Sequence, residues 1–275
     1  MKKVRKLQIG SAMLFFLFLI ILLAPIITHE SPINIDLKNE LCKPSSTHWF
    51  GCDANGTDIF SILIYGAKLS LEVGLIVTIT ALCIGLVIGS VAGWVGGWTD
   101  IIIMRILDCI FAFPGIILAI AISSVLGPSK YNVIFSLVAT GWAGYTRLVR
   151  GEVRQIKTME FVESAVALGA STPRLLFFHI WPNIISPLIV AATFGVAGAI
   201  LAEASLSFLG VGAPPGTPSW GALLSYGKDV LIEAPHVAAF PGLAIMYTIL
   251  TFHFLGEGLR EYFDPKSKKY STPKN

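Results

Sequence analysis

The chain has 275 residues, 54% of them hydrophobic and only 13% charged, with a mean hydropathy of +0.74. That balance excludes an ordinary soluble domain and indicates a membrane protein. The net charge of +3 says little, and the four cysteines form neither a disulfide framework nor a zinc spacing.

The basic arm MKKVRK precedes an apolar run from Ile9 to Ile27. The run is long for a signal-peptide core and no small-x-small cleavage site follows it, so it is read as an uncleaved first span with its arm inside. The next forty or so residues are polar and turn-rich. Asn55-Gly56 predicts a turn, and Thr57 or Asp58 can cap a short helix, lying on the outer surface, with Ile59, Ile62 and Leu63 on one side. Cys42 and Cys52 share this outside loop and can pair, closing a short loop. With His29, His48 and Asp53 they make the only thinkable metal set, and no metal site is expected because loop histidines are usually solvated.

The second span, about Leu69 to Trp94, carries Gly85, Gly89, Gly93 and, just beyond it, Gly97 at intervals of four. Small residues in one stripe let another backbone approach, which matters in lipid because apolar side chains gain nothing by leaving lipid for each other. A tight inside turn is expected from Gly96 to Asp100, then a third span from about Ile101 to Leu126 that Phe113-Pro114-Gly115 kinks, as a gate or simply as a shape. Arg105 and Asp108 lie three apart near its inner end and can neutralise each other. The fourth span runs from about Tyr131 to Val149, and Arg147, Arg150 and Arg154 continue it at helical spacing, placed to snorkel to lipid headgroups.

A longer polar segment, 152–182, follows. Phe161 to Leu168 reads as a short helix, Gly169 breaks it, and Ser171-Thr172-Pro173 restarts a second helix with a hydroxyl cap and a first-turn proline. Two short helices at an angle make a knuckle. Ser186-Pro187 can open a fifth span, about Pro187 to Leu206, in which Glu203 sits near the outer end; a carboxylate in an apolar run either bonds the loop that follows or stands in a substrate path. Gly212 to Pro218 cannot be regular structure. Trp220, Leu223, Leu224 and Leu231 then share one face of a segment too short to span, expected at the outer membrane surface, before a sixth span from about Val237 to Leu255. With these six spans, 15 lysines and arginines fall on the side holding both termini and the knuckle, and 5 on the other, which makes the first side cytoplasmic.

The knuckle places Glu163-Ser164-Ala165, Gly169 and Pro182 at the spacing of a Glu-Ala-Ala triplet, a glycine four residues after its second alanine and a proline thirteen beyond. In this it resembles the cytoplasmic coupling loop of the membrane subunits of ATP-binding-cassette importers, with Ser164 in place of an alanine and Trp181 in place of the usual leucine. Other stretches resemble the peptide and nickel branch of that family, the C-type permeases of dipeptide and oligopeptide importers. They are Phe50 with Gly51-Cys52-Asp53 and Gly56-Thr57-Asp58, then Tyr65 to Leu71, the run Ala199 to Gly210 around Glu203, and Gly256 to Pro265; Cys52, Thr57 and the tail's two glutamates depart from the usual residues.

The resemblance implies an all-α membrane protein with six transmembrane helices and the type I importer permease fold. Its divisions are an N-terminal arm, first helix and external loop over 1–68, a five-helix core over 69–258 with the coupling loop 152–182 and an external loop 207–236, and a cytoplasmic tail over 259–275. It further implies a multi-pass protein of a bacterial cytoplasmic membrane, forming half of a translocation path. The partners implied are a second homologous permease, two cytoplasmic ATP-binding subunits and an external substrate-binding protein. In the coupling loop it points to Glu163, Ser164, Ala165, Leu168, Gly169, Ala170, Leu175, Phe178 and Pro182 as the body that meets the ATPase. Small peptides are the first cargo implied, and nickel or a metal chelate the alternative. No G-x-x-x-x-G-K-[ST] run or metalloprotease motif is present, so the chain is expected to be no enzyme, to bind no cofactor and to leave nucleotide hydrolysis to its partners. A self-sufficient secondary transporter would instead show inverted repeats and midplane charges.

Overall fold

The computed structural model describes residues 2–28 and 30–263. His29, and Asp264 and Pro265 of the closing motif with the rest of the tail, lie outside the described residues. Among these residues the secondary structure is helical apart from one isolated bridge between Cys52 and Asp58. The α-helices are α1 (Lys2–Leu22), α2 (Ala24–Ile27), α3 (Ile59–Val95), α4 (Gly97–Phe111), α5 (Gly115–Leu126), α6 (Lys130–Lys157), α7 (Glu160–Ala167), α8 (Thr172–Leu175), α9 (Trp181–Phe208), α10 (Trp220–Asp229) and α11 (His236–Phe263).

Four helices are long and apolar enough to cross a membrane alone: α1, α3, α9 with its lead-in from Thr172, and α11. α4 and α5 pass only together, as one span bent by 80° where Ala112, Phe113 and Pro114 interrupt the helix. α6, expected as a further span, packs with α3, α5 and α9 in the bundle, but Arg147, Arg150, Arg154 and Lys157 make its last turns too polar for it to qualify as a span by composition.

Several boundaries differ from expectation for one physical reason, the continuity of long helices. The outside helix expected at Ile59 is the first turn of α3, a helix of 37 residues. Its cap is Asp58, whose carboxylate accepts the Ser61 amide and hydroxyl, both at 2.8 Å. Far from lying on a surface, Ile59, Ile62 and Leu63 are buried in the core. The inside turn shrinks to Gly96 and Gly97, both at positive φ, because Trp98 to Asp100 already belong to α4. Pro187 sits inside α9 instead of opening it. α10 ends before Leu231, which is exposed, while Trp220 is buried and its indole donates to the Leu63 carbonyl at 2.8 Å. Two glycines let α10 into the bundle rather than on a lipid surface: a Cβ on Gly221 would meet the Ala204 carbonyl at 2.1 Å, and one on Gly227 the Ala238 amide at 2.6 Å.

Three buried clusters run along the bundle. One joins α1, the start of α3, α9, α10 and α11 around Ile59, Ile200, Trp220, Val237 and Phe252. A second joins α3, α5, α6 and α9 around Val73, Ala119, Val133 and Leu206. The third, around Val149, Val153, Val162, Ile180 and Ile184, ties the knuckle to α6 and α9.

Candidate functional site

α6 continues unbroken to Lys157, and only Thr158 and Met159 separate it from α7. The knuckle is therefore mounted on the end of a long helix. The Met159 carbonyl accepts the Val162 and Glu163 amides at 2.9 and 3.1 Å and so starts α7, whose first turn carries Glu160 and Glu163, charges favoured at a helix N-terminus. Val162 is fully buried in the third cluster. On the other side of α7, Glu163, Ser164 and Val166 face out, with Ala165 half-buried; the Ser164 hydroxyl is spent on the Glu160 carbonyl at 2.8 Å.

The end of α7 is a Schellman motif. The Ala170 amide reaches back to the Ala165 carbonyl at 3.1 Å and the Gly169 amide to Val166 at 2.9 Å, with Gly169 at φ +82°. A Cβ on Gly169 would meet nothing within 4 Å, so this chain needs the glycine for its backbone angle and not for a close neighbour.

The second arm departs from the expected short helix. α8 is a single turn without a side-chain cap from Ser171, and it runs through a π turn, Leu176–Ile180, into α9, so the knuckle's second arm is the leading end of the fifth span. Such π turns are frequent at functional sites. Leu175 is buried, whereas Leu168 is 88% and Phe178 74% exposed, with Phe161 and Phe177 beside them. The nine residues expected to meet the ATPase therefore divide: Leu175 is buried within the body, and Leu168 and Phe178 present exposed apolar side chains. Ala170 is half-buried, and Pro182 is exposed in the first turn of α9.

Sequence reasoning missed the ties that hold the knuckle to the end of α3. The Trp94 indole donates to the Thr172 hydroxyl at 3.3 Å, the Lys157 ammonium to the Trp94 carbonyl at 2.6 Å, and the Trp181 indole to the Ser90 hydroxyl at 3.0 Å. Tryptophans at helix ends were the available signal, since a half-buried indole N–H needs a partner.

Of the glycine stripe, Gly85, Gly89 and Gly93 face α6. A Cβ on Gly85 would lie 2.5 Å from Tyr145 Cβ, one on Gly89 2.6 Å from the Thr146 carbonyl oxygen, and one on Gly93 2.9 Å from that of Arg150. Gly97 lies outside this seam: it sits in the turn at φ +55° with open space around it, because α3 ends before the stripe reaches it. The expected snorkelling arginines are engaged instead. Arg150 pairs with Asp100 across to α4, Arg154 reaches the same carboxylate at 3.5 Å, and Arg147 meets Asp108 at 3.0 Å, closer than its expected partner Arg105 at 3.7 Å.

Glu203 is 1% exposed and accepts three hydroxyls: Ser207 at 2.8 Å, Ser70 at 3.0 Å and Ser219 at 3.3 Å. These belong to α9, α3 and the cap of α10, so the carboxylate joins two helices to the segment that follows the irregular loop. At the same end, Cys42 and Cys52 form a disulfide. His48 lies beside both sulfurs, but sulfurs bonded to each other are not thiolates and hold no metal. Asp53 turns to the Asn55 and Thr57 amides at 2.9 and 2.8 Å, and burial nonetheless pushes its carboxyl above the usual carboxylate range.

Residues 85–269 match the family model described as "binding-protein-dependent transport system inner membrane component". The chain is 41% identical over 268 residues to the dipeptide transport system permease protein DppC of Alkalihalophilus pseudofirmus, covering 98% of this chain and 88% of that one. It is 42% identical over 271 residues to the glutathione transport system permease protein GsiD of Escherichia coli, covering 97% and 89%. The chain belongs to the family of inner membrane components of binding-protein-dependent transport systems.

Proposed function

We propose that this permease forms one half of a path that imports short peptides, driven by ATPase subunits that grip the knuckle. The observation that carries the coupling role is the division of the knuckle into two faces. Val162 and Ile180 seal it onto α6 and α9 and Leu175 is buried, while Leu168 and Phe178 stand clear of the other described residues. An apolar ridge on a polar loop at the end of a spanning bundle suits a protein partner better than water. A push on that ridge reaches the bundle through buried contacts, not through a flexible linker.

In the same reading the other half of the path is a second homologous permease, an external binding protein delivers the cargo, and the end holding both termini and the knuckle faces the cytoplasm, as the basic excess there favours. Peptides are favoured over nickel because the two relatives above are named for a dipeptide and for glutathione, itself a short peptide. Membership of the permease family also sets aside the self-sufficient secondary transporter.

The test is a reconstituted importer carrying Leu168→Glu with Phe178→Glu. Both side chains are exposed, so insertion and folding are expected to persist while ATPase subunits no longer co-purify and uptake of a labelled dipeptide stops. Uptake at the unmodified rate would refute the coupling role. Competition of that uptake by unlabelled dipeptides but not by nickel ion is the expected outcome for cargo.

A further inference from the structure

α4 is weakly held in the bundle. Of its 15 residues only Leu107 is buried. Its start hangs on Gly96 and Gly97, both at positive φ and surrounded by open space, and its end on the break at Ala112, Phe113 and Pro114 before α5 turns through 80°. A helix with a free turn at each end and little buried surface is positioned by whatever else touches it. Here that is charge. Asp100, whose side chain is only 13% exposed, receives both Arg150 and Arg154, and about two turns further on Asp108 receives Arg147 at 3.0 Å. The Arg147 guanidinium also lies over the Phe111 ring, 4.4 Å from its centroid, at the end of α4.

The other end of these arginines is what gives the arrangement meaning. Arg147, Arg150 and Arg154 are spaced by three and four along one face of α6, the helix that leads through two residues into α7 and is locked to it through Val153, Ile156 and Val162. α6 is in turn seated on α3 by the glycine seam, where backbones touch and sliding is resisted. On the reading proposed above, displacement of the knuckle carries α6 with it, and among the described residues α6 grips α4 through these ion pairs and the Arg147–Phe111 contact.

We infer that Asp100 and Asp108 are positioning residues for transport: through Arg147, Arg150 and Arg154 they make α4 follow α6, and so carry the movement of the knuckle past the 80° break into α5. This rests on the coupling role proposed above for the knuckle. The work of the ladder is to keep a weakly packed lever in step with a firmly packed one.

The experiment uses the complete reconstituted importer with loaded binding protein and measures ATP hydrolysis and dipeptide uptake per assembled complex. Two variants are compared: Asp100→Asn with Asp108→Asn, and Asp100→Glu with Asp108→Glu. The expected result is that the asparagine pair hydrolyses ATP at close to the unmodified rate while peptides carried per ATP fall by about tenfold, and that the glutamate pair, which keeps both charges, restores the ratio. A merely structural role would lower both activities together and leave the ratio alone. Should the asparagine pair fail to assemble, Arg147→Gln with Arg154→Gln loosens the ladder while leaving the Arg150 pair, and the same fall in the ratio is expected. An unchanged ratio in every charge-neutralised variant, with Leu168→Glu and Phe178→Glu still abolishing uptake, overturns the ladder and leaves the knuckle's role intact. If that knuckle variant also transports normally, the coupling reading falls and the ladder falls with it.

Discussion

Replacing Gly89 by alanine adds a single methyl group, and the geometry fixes what it must displace. Its Cβ would lie 2.6 Å from the Thr146 carbonyl oxygen, 2.8 Å from Val149 Cβ and 3.0 Å from Val149 Cγ1, whereas ordinary van der Waals contact begins near 3.4 Å. The nearest atom is backbone, which no rotamer change can move, so α6 as a whole must retreat from α3. Overpacking of this kind costs about 1–3 kcal/mol in a well-packed interior. It sits between two further close approaches, at Gly85 and Gly93, so the seam cannot yield at one turn alone. The control is Gly144→Ala in α6, where a Cβ would meet nothing within 4 Å; a free helical glycine changed to alanine is expected to gain about 0.5–1 kcal/mol. Thermal unfolding of the purified, assembled transporter in detergent should therefore rank Gly144→Ala above the unmodified protein and Gly89→Ala below it. Equal midpoints for the two variants would refute the claim that α3 and α6 are in backbone contact.

Glu203→Ala leaves the Ser70, Ser207 and Ser219 hydroxyls without their common acceptor, a loss of about 1–3 kcal/mol for each buried group left unpaired. Glu203→Gln, which keeps an acceptor oxygen, should lose less, and limited proteolysis should cut the loop between Gly210 and Pro218 faster in the alanine variant. Gly169→Ala and Gly169→Trp share the penalty of φ +82°, about 1–2 kcal/mol, yet only the second adds bulk to open space. Peptide uptake lost by the tryptophan variant beyond the alanine one therefore measures a partner seated on that face, and normal transport by Gly169→Trp would mean that no partner is there. Of the four cysteines, thiol alkylation of the denatured, unreduced chain should modify two, Cys83 and Cys109. Modification of all four would remove the external clamp.

The parts of this fold legible in the sequence are those set by local chemistry. Thr57 or Asp58 reads as a cap because an oxygen before an apolar run has orphan amides to accept, and the structure settles on Asp58; Gly169 reads as a helix end because only glycine takes a positive φ without strain. What was not legible is whether a helix stops where its pattern changes. The expected surface helix at Ile59 and the expected second arm at Thr172 both proved to be ends of longer helices, since the breakers that follow them, Gly66 in one case and Pro182 and Pro187 in the other, do not interrupt helices held on several sides by the bundle. Pro187 misled in the opposite sense: it looks like a first-turn residue, but surrounding helices hold α9 together across it.

The arginines of α6 show why a partner chosen by spacing along one chain is a weak inference. On its own helix Asp108 has Arg105 three residues away, and a one-dimensional reading stops there. The bundle brings Arg147 closer, and it brings Asp100, which has no near cation of its own, against Arg150. Arg105 keeps its pairing with Asp108 at 3.7 Å, but its side chain is 81% exposed and Arg147 holds the same carboxylate more closely. Three glycines make this exchange possible, because only the close seating of α6 on α3 at Gly85, Gly89 and Gly93 brings its basic face within reach of α4. The packing seam and the charge ladder are therefore one device. Widening the seam at Gly89 should loosen Asp100 from Arg150 as well, so Gly89→Ala is expected to lower the number of peptides carried per ATP in the same direction as Asp100→Asn. A seam variant that is less stable yet keeps its transport ratio would separate the two and show that α4 follows α6 by some other contact.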